Sequence, residues 1–209
     1  MGKIFKTIIV VGIFLFCAMF ILRIGLADYY PAEAKAILDN EALKAAYTEN
    51  GSKAPEAFLQ EPVTPYDNKE RAHFFFNFFV YIPDAKQVQL TLRYNNSTLE
   101  DIKNDMKLDT VPAADTDELR FYLRDASGEI YPCTSQKHSE FLIYNYKRLV
   151  FDGVDLALND TEIGGDGYFY LDVYYGDADV KTDVPYGSML VFVPEKPVKP
   201  YTLPEKLGE

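Results

Sequence analysis

Cys133 is the residue whose type is best suited to do chemistry, as a thiolate nucleophile, provided that a base and a cation stand beside it. His73 lies 60 residues before it and Arg148 15 residues after it, so all three kinds of group are present. The local sequence argues against their assembly. Pro132 directly precedes the cysteine and cannot donate to a central strand ladder. The blander reading is preferred: a small loop or edge residue, a strand-end histidine and a surface arginine. Cys133 and His138 are five apart, but two ligands without a third make no zinc site. With two histidines in all, and no G-x-S-x-G or phosphate loop, other enzyme classes have less support still. No catalytic residue, metal ligand or cofactor is therefore assigned.

Two loops are rich in oxygen ligands. Asp177, Asp179 and Asp183 fall at positions one, three and seven of a calcium-type loop. Lys181 occupies the fifth position, where calcium requires an oxygen, and no bidentate Glu follows at the twelfth. Asn159, Asp160, Glu162 and Asp166 form a second, glycine-rich cluster. Solvated turns account for both.

The third feature is aromatic. If Phe169, Leu171, Val173 and Tyr175 face a core, then Tyr168, Tyr170, Asp172 and Tyr174 face outward. Tyr144, Tyr146 and Arg148 make a similar series within 141–151. Tyrosines beside an arginine supply large contact area and a polar tip at low entropy cost. These seven residues are the predicted binding surface, for a protein partner. They could also stack on sugar rings, although the absence of Trp weakens that version. His73, on one face with Phe75, Asn77, Phe79 and Tyr81, is read as structural.

The elements that must position these residues begin with a membrane signal. Lys3 and Lys6 precede an uncharged run of 16 residues, Thr7–Leu22, and Arg23 can snorkel at its far end. Residues 7–26 are read as a retained signal anchor rather than a cleaved peptide. The amino terminus is then cytoplasmic and 28–209 extracytoplasmic. Beyond residue 27, 18 basic and 32 acidic residues give a charge of −14, which disfavours nucleic acid and anionic surfaces as partners. Only Cys133 remains there, so no intrachain disulfide forms outside the membrane.

Pro31, Glu33 and Gly51 mark a juxtamembrane helix over 31–49, within a segment 28–50, and 51–71 reads as a linker with one short edge strand. From residue 72 the period is two. Phe74, Phe76, Phe78, Val80 and Ile82 make one apolar face. After a turn at 83–86, Val88, Leu90, Leu92 and Tyr94 alternate with Gln87, Gln89, Thr91 and Arg93, a strand with one face buried. A short helical turn at 97–106, an acidic loop at 107–117 and a hairpin through Asp125–Gly128 follow. Further strands fit 141–151, 168–175 and 187–193, and the Pro-rich tail, 195–209, should be extended and mobile.

Some seven short strands without a βαβ rhythm predict an all-β class and an antiparallel sandwich over 72–194. With the single anchor and the hairpin Leu123-Arg124-Asp125-Ala126-Ser127-Gly128-Glu129-Ile130-Tyr131, the region 70–194 resembles the immunoglobulin-like modules of membrane-anchored bacterial envelope proteins. In order and spacing, His73, Cys133 and Arg148 are similar to the sortase family of anchored transpeptidases. That family's Thr-Leu-x-Thr-Cys motif is replaced here by Glu129-Ile130-Tyr131-Pro132-Cys133. The expectation is thus an anchored, non-catalytic module that docks to an envelope or membrane protein. The alternatives are a cysteine transpeptidase centred on Cys133 and a glycan-binding module.

Overall fold

An unbroken apolar sequence makes the first helix. In the computed structural model α1 spans Gly2–Ala27, and its Phe5–Leu22 stretch is long and apolar enough to cross a membrane. At 1.5 Å per residue that stretch covers about 27 Å, close to a hydrocarbon core. Residues 1–32 form one unit and 33–209 another. The structure describes residues 2–27, 29–60, 74–155, 168–192 and 199–207.

The second unit is mostly antiparallel β. Its strands are β1 (Phe58–Gln60), β2 (Phe75–Ile82), β3 (Gln87–Asn95), β4 (Leu119–Asp125), β5 (Ile130–Phe141), β6 (Tyr144–Asp152), β7 (Tyr168–Tyr175), β8 (Gly187–Phe192) and β9 (Lys199–Pro200). The described residues also include the α-helices α2 (Ala32–Lys35), α3 (Glu41–Glu49) and α4 (Asn96–Met106). The strands form one sheet in the order β8-β7-β4-β5-β6-β3-β2-β1-β9, curled like half a barrel. The curl centres on β5. Its first residues, Ile130–Pro132, pair with β4, and Cys133–Phe141 pair with β6 across a register shift between Cys133 and Ser135. Pro132 has no N–H to continue the first ladder, and a bulge adds the bend.

Inside the curl, Leu90 and Leu92 of β3, Leu149 and Phe151 of β6, Phe121 and Leu123 of β4 and Leu171 of β7 share one core with Leu99 and Ile102 of α4. A second core lies on the opposite side of β2, where Val80 and Ile82 meet Leu43, Ala46 and Tyr47 of α3, together with Leu203.

That second core corrects four expectations. The apolar face of β2 is not unbroken. Its register shifts between Asn77 and Val80, and Phe78 adopts φ +59. The extra residue rotates the strand, so Phe74, Phe79 and Tyr81 serve the inner core whereas Phe78, Val80 and Ile82 serve the outer one. Secondly, Gln87, Gln89 and Thr91 are fully buried rather than solvated. The chain between α2 and α3 lies over them. Gln89 donates to the Leu38 carbonyl (2.8 Å) and accepts from the Leu38 N–H (3.0 Å). Gln87 donates to Asn40 Oδ1 (2.9 Å) and Asp152 Oδ1 (2.8 Å), and Thr91 Oγ1 donates to the Ala34 carbonyl (2.6 Å).

Thirdly, the predicted helix over 31–49 is two helices. Residues 36–40 are non-helical because Leu38 gives its backbone groups to Gln89, and Asn40 then caps α3 by accepting from the Leu43 N–H (3.1 Å). Fourthly, residues 199–207 of the tail are pinned: β9 pairs with β1, the Tyr201 N–H donates to the Ala57 carbonyl (2.8 Å), and the Tyr47 hydroxyl donates to the Pro204 carbonyl (2.6 Å). The strand expected over 141–151 is also longer and doubled, since β5 and β6 form a hairpin turning at Leu142-Ile143. The helix at 96–106 and the Gly128 turn (φ +90) lie where the sequence places them.

Candidate functional site

The predicted binding residues divide between two places, with β4 and β5 between them. On β6, Tyr146 and Arg148 are buried, which removes them from any open surface. Arg148 Nη1 donates to the Phe78 carbonyl (2.7 Å) and to Thr91 Oγ1 (3.1 Å), and its guanidinium lies 5.2 Å from the Phe78 ring centre. Burial pushes its pKa down to about 9. Tyr144 is half-buried and stacks on Arg93 at 4.8 Å.

On β7 the inward and outward assignment holds at the backbone level, but the outward residues are mostly covered. Phe169, Leu171 and Val173 lie in the inner core. Asp172 and Tyr174 are nevertheless only 4% exposed. The chain after β7 folds back to Tyr174, whose hydroxyl donates to the Val180 carbonyl (3.4 Å), and Arg124 and Ser188 cover Asp172. Tyr168 pairs with Phe192 in the ladder, and its side chain falls outside the described residues.

What remains open is a small platform on β4 and β7. Arg124 Nε and Nη2 reach the two carboxylate oxygens of Asp172 at 2.7 and 3.2 Å. Its guanidinium lies 4.4 Å from the Tyr170 ring centre. Ser188 donates a further hydrogen bond to Asp172. The hydrogen bond to Asp172 raises the Arg124 pKa, against the opposing effect of burial. Beside it Tyr122 meets Tyr174 edge to face at 5.5 Å. Tyr122, Arg124 and Tyr170 are half-exposed and held by neighbours that are not, so little conformational freedom is left to lose on binding. Tyr122 and Arg124 were not among the predicted residues. The signal was present: Arg120, Tyr122 and Arg124 alternate with the core residues Leu119, Phe121 and Leu123.

Comparison with protein-family models, with curated proteins and with solved structures finds no match to this chain.

Cys133 and Arg148 do not converge. Cys133 packs against the inner core, whereas Arg148 lies on the outer face of β6. His73 falls outside the described residues. A cavity of about 260 Å3 opens where β4 and β5 splay apart, lined by Arg120, Phe121, Cys133 and Gln136 among others. Burial pushes the Cys133 thiol up to about 11, the reverse of an activated nucleophile. Alkylation of folded chain at pH 8 should accordingly run about 100-fold slower at Cys133 than for an ordinary exposed thiol, because two pKa units remove that much thiolate. Rapid labelling with a midpoint near neutrality would instead restore the transpeptidase alternative.

Among the described residues no three His, Cys, Asp or Glu side chains are grouped to hold a metal. In the 177–183 loop Asp179 Oδ1 accepts from the Lys181 N–H (3.0 Å), and Asp183 Oδ2 accepts from the Asp179 N–H (2.7 Å). Those carboxylates brace their own turn. The cluster Asn159–Asp166 falls outside the described residues.

Proposed function

We propose that this chain is a single-pass, amino-terminally anchored protein whose β unit lies outside the cytoplasmic membrane and docks to another envelope or membrane protein without catalysing a reaction. The anchor reading rests on α1, and the orientation on Lys3 and Lys6 preceding the apolar stretch. The shared core between β2, β3 and β6 on one side and β4, β7 and β8 on the other supports an immunoglobulin-like, two-layered reading of the curled sheet. The observation that carries the docking role is the Tyr122–Arg124–Tyr170 platform, an arginine clamped by a buried carboxylate against the half-exposed Tyr170 ring, with Tyr122 on the same strand. Such pre-organised Tyr and Arg groups are the residue types that dominate protein interfaces.

In-cell photo-crosslinking tests this reading, with a probe placed in turn at Tyr122, at Tyr170 and, as a control, at the exposed Lys107. A discrete protein adduct from the two platform sites alone is expected. Adducts at all three sites, or at none, would reduce the platform to ordinary cross-strand packing.

A further inference from the structure

The β5–β6 hairpin turns through two adjacent apolar side chains, Leu142 at 72% and Ile143 at 65% exposure. Two-residue hairpin turns ordinarily carry Gly, Asn or Asp, since at least one central residue needs a positive φ. Here Leu142 holds φ +56, a conformation that bulky side chains rarely adopt. Both the exposure and the strained backbone oppose stability, which marks the tip as retained for contact rather than for folding. Phe75, 58% exposed, begins β2 at the same end of the sheet, where Arg93 stacks between it and Tyr144 at 5.0 and 4.8 Å.

The covering segment of the β unit runs along β3 toward this end. Between Asn40 and Ala34 the covering segment bonds first to Gln87, then to Gln89, then to Thr91. Traced backward toward α1, it therefore advances toward Asn95, the residue paired with Tyr144 at the base of the tip. Thr91 and Asn95 are four steps apart on β3, about 13 Å at a strand's rise. Seven residues connect Ala27, the end of α1, to Ala34, and they can span at most about 24 Å. Followed back from Asn40 to Ala34, the covering segment thus runs, within the β unit, toward the end of the sheet that carries the tip.

We infer that the Leu142-Ile143 tip, flanked by Phe75 and Tyr144, inserts into the headgroup–acyl boundary of the bilayer that holds α1. It would rest the β unit on the membrane by a second, apolar contact. The proposal rests on the anchored reading of α1. A bilayer fits better than an anionic surface ligand, because the tip offers aliphatic and aromatic groups while the unit as a whole is acidic. The platform of Arg124 and Tyr170 lies beside the turn at the other end of β5, where it stays free for a partner.

The test uses the full chain in phosphatidylcholine vesicles with an environment-sensitive fluorophore on a single cysteine. The fluorophore is placed on native Cys17 in Cys133→Ala, or on Ile143→Cys or Ala126→Cys in a Cys17→Ala, Cys133→Ala background. Ala126 is an exposed residue of the far turn. Lipids with a nitroxide near the headgroup should quench the Ile143 probe and blue-shift its emission, and should leave the Ala126 probe water-like, as expected for insertion to about 5 to 10 Å. A quenched Cys17 probe with a water-like Ile143 probe overturns the tip proposal alone. A blue-shifted but unquenched Ile143 probe also overturns it, since protein rather than lipid would then cover the tip. A Cys17 probe that lipid nitroxides at every depth fail to quench overturns the anchored reading and this inference with it. Leu142→Gly,Ile143→Ser relieves the backbone strain, so it should fold at least as well as the parent while its neighbouring probe at Tyr144→Cys loses most of the quenching. Unchanged quenching there would overturn the assignment of contact to these two side chains.

Discussion

Gln89→Met should lower the unfolding free energy by about 3 to 5 kcal/mol, a large part of what holds a domain of this size together. Methionine matches the length of glutamine but neither donates nor accepts strongly, so volume is nearly conserved. What is lost is pairing. The Leu38 N–H and carbonyl both bond to the Gln89 amide, and Gln89 also donates to Gln87 Oε1 at 2.7 Å. All of this lies where Gln87 and Gln89 are fully buried. Each orphaned group costs about 1 to 3 kcal/mol. Through Gln87 the disturbance reaches Asn40, whose side chain also donates to Asp152 Oδ2 at 2.8 Å and caps α3. Urea unfolding followed by circular dichroism measures the effect. A change within about 0.5 kcal/mol, usual for exposed positions, would show that Gln89 faces water, as strand alternation alone implies.

Ending the chain after residue 198 is the second change expected to be severe, at about 4 to 6 kcal/mol. Leu203 is 3% exposed in the outer core, and Tyr201 packs against the Phe78 ring at 5.6 Å. Removing them returns the apolar surfaces of Leu43, Val80 and Ile82 to water, and the hydrogen bonds of Tyr47 and Tyr201 go as well. Leu203→Ala should show about half of this loss, in the range for buried leucines. A truncated chain with an unchanged unfolding midpoint would show that the tail is an appendage. Partial loss would still locate the outer core, provided that Leu203→Ala and the truncation fall in that order.

The two predictions share a cause, which is the second core. Strand alternation shows which residues of β3 share a face, but not what covers that face. Polar residues at Gln87, Gln89 and Thr91 normally signal water. They are buried here because the Leu38 backbone, the Ala34 carbonyl and the Asn40 side chain satisfy them, and those groups come from some fifty residues away in the chain. The Phe78 bulge is similar. An alternating Phe-rich run looks the same with or without one extra residue, yet that residue decides which phenylalanines enter which core.

Local chemistry was legible where a short stretch contains its own constraint. The apolar run of α1, the Gly128 turn, the helix after Asn95 and the inward set Phe169, Leu171 and Val173 depend on neighbours two to four positions apart. The platform was half legible for the same reason. Tyr170 and Asp172 follow from alternation within β7, whereas Arg124 joins them only because β4 lies beside β7 with Arg124 opposite Tyr170. By itself, then, the sequence determined the apolar helix, the predominance of antiparallel strands and most turns, because these are set by period, proline and glycine. Tertiary structure alone decided that residues 199–207 and the 36–40 segment are structural, that Tyr146, Arg148 and Tyr174 are covered, and that an arginine–tyrosine platform stays open. Burial of a polar face depends on a distant partner's hydrogen bonds, and no local pattern encodes that partner.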